Sequence, residues 1–174
     1  MLERETIEIH DVKANLEDDK VIVRVKVRNP TDRTLYTYGN VRNIQYDQAT
    51  GKLILSLHDH RHEDDKNPDK YHLPQPKIIQ IEGKTTAELK LKIAPVIRRI
   101  KSHTERGAGG PVTEELHVAD ANEIQVEIAH QDTPFYYDPK KSNVRQYKEW
   151  GRVVSTANFK ITPPRQKRDD KKAD

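Results

Sequence analysis

The sequence predicts an all-β fold, an antiparallel two-sheet sandwich of about seven to nine strands with at most one short helix. Three observations lead there. Apolar residues alternate with charged ones through most of the chain, which is the period of a strand with one wet face. Turn signals rich in Asn, Asp, Gly and Pro separate these segments. The apolar fraction is 33% against 34% charged, so there is a core to fill but no run of roughly 18 apolar residues to cross a membrane.

The elements follow in order. Ile7 and Ile9 alternate with Glu8 and His10, and Glu17 to Lys20 form a polar turn. Val21, Val23, Val25 and Val27 make one apolar face against Ile22, Arg24, Lys26 and Arg28 on the other, until Asn29-Pro30 stops the ladder. A β segment around residues 36–46 is broken by Gly39-Asn40, a bulge or bend. Asp47 to Gly51 then read as a hairpin loop with Gly51 at a positive φ. Leu53, Leu55 and Leu57 return, and a polar loop with three prolines covers residues 61–76.

Ile79 and Ile81, a turn at Glu82-Gly83-Lys84, and Leu89, Leu91 and Ile93 form the next pair of strands. After Pro95 the spacing of Val96, Ile97 and Ile100 changes to a helical one, predicting a short helix near 95–102. Residues 107–111 read as a glycine-rich loop. Ile124, Val126 and Ile128 form a further strand, and Val153, Ser155, Ala157, Phe159 and Ile161 the last. One domain is expected over residues 1–162 and a disordered charged tail over 163–174, where no large apolar side chain remains.

Residues 21–35 read Val-Ile-Val-Arg-Val-Lys-Val-Arg-Asn-Pro-Thr-Asp-Arg-Thr-Leu. This resembles the second strand and following turn of bacterial immunoglobulin-like domains. Residues 81–91, Ile-Glu-Gly-Lys-Thr-Thr-Ala-Glu-Leu-Lys-Leu, are similar to the turn and Thr-containing strand at the centre of the same class. The resemblance implies an immunoglobulin-like sandwich and brings no catalytic motif with it. The Cys…Trp…Cys core of antibody domains is missing, since the chain has no cysteine.

Absence of cysteine also excludes disulfides, zinc ribbons, iron–sulfur clusters and thiol nucleophiles. The net charge is +3, of which +2 comes from the last ten residues with five basic and three acidic side chains. The body is thus close to neutral, which argues against nucleic acid as a partner. No hydrophobic leader or apolar span is visible, so a cytoplasmic location without a membrane partner is expected. The serines lie outside any Gly-x-Ser-x-Gly elbow, and paired carboxylates such as Asp18-Asp19 occupy charged turns. The expectation is a protein that is not an enzyme.

Two local concentrations carry the functional reading. Phe135, Tyr136, Tyr137, Tyr147 and Trp150, with Arg145 and Arg152, gather the residue types enriched at binding hot spots into one expected hairpin over 133–152. These are the expected contacts to a protein partner or to a second copy, either here or along a sheet edge. The alternative is that the rings pack back onto their own sheet. The second concentration is Leu57-His58-Asp59-His60-Arg61-His62-Glu63-Asp64-Asp65, with His72 beyond. If Leu57 faces inward, His58 and His60 share the outer face, and His62 joins them if the strand continues. With His72 or a carboxylate they would make a zinc, nickel or copper site. The alternative is a solvated strand end leading into an acidic loop; no other cofactor is implied.

Overall fold

The computed structural model describes residues 6–59, 75–102, 112–151 and 153–165. The glycine-rich loop at 107–111 and the Pro-containing loop at 61–74 lie outside them.

Eleven strands are present among the described residues: β1 (Glu8–Glu17), β2 (Lys20–Arg28), β3 (Leu35–Tyr38), β4 (Asn43–Asp47), β5 (Lys52–Leu57), β6 (Ile78–Ile81), β7 (Thr86–Ile93), β8 (Val96–Ser102), β9 (Val112–His117), β10 (Glu123–Gln131) and β11 (Val153–Lys160). One sheet has the order β1-β2-β7, all antiparallel. A second is built around β10. Along one edge β10 pairs with β11 over its whole length, from Glu123↔Lys160 to His130↔Val153. A strand has only two edges, so β5 and β3 share the other, one after the other. β5 meets Glu123 to Ile128 and β3 meets His130 and Gln131. β4 extends the sheet beside β5, and β6 beside β3.

The alternation of valines in β2 does what the pattern requires. Val21, Val23, Val25 and Val27 are fully buried, and they meet one core with Leu89, Leu91 and Ile93 of β7. Leu53, Leu55, Leu57, Ile124, Val126 and Ile128 enter the same core from the second sheet. The fold is therefore sandwich-like, two sheets closing on one apolar interior. The hairpin loop before β5 also forms as expected, with Gly51 at φ 74° and its N–H donating to the Asp47 carbonyl oxygen (2.8 Å).

Eleven strands exceed the seven to nine expected, and three further features depart from the expectation. The pairing is not wholly antiparallel, because β5 runs parallel to β10. Leucines alternating at 53, 55 and 57 look the same in either direction. Residues 96–102 form a strand rather than a helix, paired with β9 through Ile97↔Leu116 and Arg98↔Glu115. The β-branched residues that suggested a helical spacing also favour a strand once a partner is supplied, and Arg98 adds an ion pair to Glu115 (3.2 Å). The helix lies elsewhere, α1 at Asn143–Glu149, inside the expected hairpin. At the C-terminal end, Pro164 is buried and Arg165 N–H donates to the Ala119 carbonyl oxygen (3.1 Å). The first residues of the expected tail thus pack on the turn at Val118–Asp120; residues 166–174 lie outside the described set.

Candidate functional site

The chain leaves β10 at Gln131 and returns at β11, and the intervening segment folds over the outer face of the second sheet. Its base is closed by one side chain: Gln131 Nε2 donates to the Thr133 carbonyl oxygen (2.8 Å) and Gln131 Oε1 accepts from Gly151 N–H (3.1 Å). A second glutamine, Gln146 of α1, braces the middle. Its Oε1 accepts from Asp138 N–H (2.9 Å) and its Nε2 donates to the Asp138 carbonyl oxygen (3.3 Å). The Asp138 carboxylate is used internally, accepting Lys140 N–H (2.9 Å). The segment ends at Gly151, whose φ of 59° is left-handed; an added Cβ there would lie 2.7 Å from that of Ala129. Glycine is required on both counts.

This bracing holds an aromatic anchor against the sheet. On β3, Leu35 and Thr37 face the core, so Tyr38 points to the outer side, yet it is fully buried because the segment covers it. Phe135 packs on Tyr38 (ring centroids 5.5 Å apart) and edge-on to Trp150 (5.1 Å). Tyr147 meets Trp150 at 5.1 Å. Beneath the rings, Arg42 Nε donates to Asp59 Oδ1 (2.8 Å) with both side chains almost wholly enclosed, and the guanidinium lies 5.6 Å from the Tyr147 ring centre. The Tyr38 hydroxyl reaches both the Tyr147 carbonyl oxygen (2.9 Å) and Asp59 Oδ2 (3.2 Å). Burial, and then the Asp59 carboxylate, push the Tyr38 phenol far above its ordinary pKa. It therefore stays a neutral donor.

The seven expected contact residues thus divide. Tyr147 is buried, Phe135 and Trp150 are half-buried, and these three anchor the segment. Tyr136 is 78% exposed, Tyr137 42%, and Arg145 is exposed. Arg152 lies outside the described residues. An extended chain would have set Tyr147 and Trp150 on opposite faces. The helix instead places i and i+3 together, which is why their rings touch.

Of the expected metal ligands, His60, His62 and His72 lie outside the described residues. His58 does face the outer side, in a polar cluster with Ser56 and with Glu127 of β10. Glu127 Oε1 accepts from Ser56 Oγ (3.0 Å) and lies 3.0 Å from His58 Nε2, while Gln125 Nε2 donates to Oε2 (2.8 Å). Burial alone would raise the Glu127 pKa, but the bonds from His58, Ser56 and Gln125 together hold it below the ordinary value. The Ser56 hydroxyl is bonded to the carboxylate and not to the imidazole, so His58 is not placed to activate it. Among the described residues no group of three or more His, Asp or Glu is arranged to hold a metal ion.

One chemistry-bearing residue was missed by the sequence reading. His130, directly opposite Thr37, is 1% exposed and its Nε2 is 3.1 Å from Ser155 Oγ, which donates in turn to the Ile7 carbonyl oxygen (3.0 Å). Burial lowers its pKa from 6.5 to about 4. Its place in the Ile124, Val126, Ile128 alternation is the signal that marks it as inward-facing.

No helix among the described residues is long and apolar enough to cross a membrane. Comparison with known proteins finds no match to a protein family, to a curated protein or to a solved structure.

Proposed function

We propose that this chain is a non-enzymatic protein-interaction module that binds a protein partner through the braced segment between β10 and β11. The observation that carries the reading is the contrast within one segment. Tyr136 and Tyr137 stand exposed while Phe135, Tyr147 and Trp150 fix the backbone that presents them. A held backbone lowers the ordering cost of binding, and tyrosine offers a large contact area with little side-chain entropy to lose. Exposed Lys140, Lys141 and Arg145 give the rim a basic character. The scaffold is an immunoglobulin-like sandwich in this reading. Its support is the β1-β2-β7 sheet opposite a sheet that joins β6, β3, β10 and β11, with the chain passing from one to the other between β2 and β3 and back between β6 and β7, and reaching β10 again through the separate β8–β9 ribbon.

The test is a paired capture experiment. Wild-type protein and the double variant Tyr136→Ser, Tyr137→Ser, shown to melt alike, are used as bait and bound proteins are quantified. A partner held by the wild type and lost by the variant supports the reading; identical captured sets contradict it.

A further inference from the structure

We propose that the open edge of β11 is a strand-pairing surface for a second copy of this chain, a proposal that rests on reading the chain as an interaction module. Sheet edges expose unpaired N–H and C=O groups, and proteins guard them with charge, bulges, proline or brevity. The other edges here are guarded. β1 carries a bulge between Ile9 and Asp11, together with Asp11 and Lys13. β7 carries Glu88, Lys90 and Lys92. β4 and β6 are five and four residues long, and the β8–β9 ribbon carries Arg98, Glu114 and Glu115. β11 reads Val-Val-Ser-Thr-Ala-Asn-Phe-Lys over eight residues, with no charge before Lys160, no proline and an unbroken register against β10.

The rungs that face outward can be assigned. Ile161 N–H donates to the Asn122 carbonyl oxygen (2.9 Å), toward the β10 side. In an antiparallel ladder alternate residues bond to the same neighbour, so Phe159 and Ala157 also bond inward. Thr156, Asn158 and Lys160 then present their backbone groups to the open edge. Ser155 Oγ donates to the Ile7 carbonyl oxygen and β1 lies beside β11, while β10 is the one ladder partner of β11 among the described residues, so the pairing strip begins at Thr156. A twofold axis beside Ala157 sets the two Ala157 side chains against each other where side chains come closest. Thr156 then pairs with Asn158 of the second copy, and Lys160 lies beyond the paired strip, so no like charges meet. Lys160 already has Glu123 directly across the ladder. The second copy is the fitting occupant because an isologous pair satisfies both open edges at once and closes the assembly.

Sedimentation over a range of chain concentrations, with residue-resolved amide exchange, tests this. The expected result is a reversible dimer in which Thr156 and Asn158 amides slow as the dimer forms, joining Ala157 and Phe159, which are slow throughout. Thr156→Lys and Asn158→Pro should leave the protein monomeric wherever the wild type is dimeric. Proline at 158 removes an outward N–H without touching the β10 ladder, and Tyr136→Ser, Tyr137→Ser should dimerise as the wild type does. The proposal is overturned by a wild type that stays monomeric. It is equally overturned by a dimer whose Thr156 and Asn158 amides still exchange fast, or by slow exchange there in a monomer, which would place another part of the same chain on the edge. Loss of the dimer in the Tyr136, Tyr137 variant alone would move the contact to the braced segment.

Discussion

His130 enters the core as a neutral imidazole, and the position sets a pH response. In the unfolded chain a histidine titrates near 6.5, whereas in the fold burial lowers this group to about 4. Between these values the unfolded state binds more protons, so stability rises with pH across that window. The stability is full above about pH 6.5 and is lost as pH falls toward 4, by about 3 kcal/mol. Glu127, held below its ordinary value by its hydrogen-bond donors, adds loss in the same direction at still lower pH. Thermal melts from pH 7 to pH 4 should show this decline, and His130→Gln should flatten its upper part. Equal slopes in the two proteins would show that the imidazole is not the group responsible.

At the scale of the element, the segment after β10 makes two opposite demands on neighbouring rings. Trp150→Ala removes the side chain that touches both Phe135 and Tyr147, and is expected to cost about 3 kcal/mol and to speed amide exchange across α1. Tyr136→Ala, at a ring 78% exposed, should change stability by no more than about 0.5 kcal/mol. Guanidinium melts of the two variants check both values; comparable losses would mean that Tyr136 is part of the anchor. The same segment shows what single-residue patterns conveyed. The valines of β2 could be placed because a two-residue period repeats four times and needs no partner to be recognised. The helix was missed although Val144, Tyr147 and Trp150 fall three apart and Gly151 follows as a stop, because the turn at Asp138-Pro139 drew the whole stretch into one hairpin. Val96, Ile97 and Ile100 misled for the reverse reason: three apolar residues fit either period, and only β9 decides between them. The aromatic cluster was visible as composition. Its division into anchor and exposed pair was not, since that depends on α1 and on Tyr38 lying almost a hundred residues earlier in the chain.

For the molecule as a whole, the alternating pattern conveyed an all-β fold with a shared core but not its wiring. Pairing of β5 with β10 joins residues about seventy positions apart, and alternation carries neither the partner nor the direction. The architecture that results places the polar cluster around Glu127 and the braced segment on the outer face of the second sheet, away from the β1-β2-β7 layer. That separation gives the account a direct test. A photoreactive phenylalanine analogue is placed at position 136, and in a second protein at Lys20, an exposed site at the start of β2 on the other sheet. Both are irradiated in lysate from the native source. Covalent adducts to a protein partner formed from position 136 and absent from position 20 are the predicted result. Adducts of the same kind from both positions, or from neither, would contradict the claim that Tyr136 and its neighbours form the recognition surface.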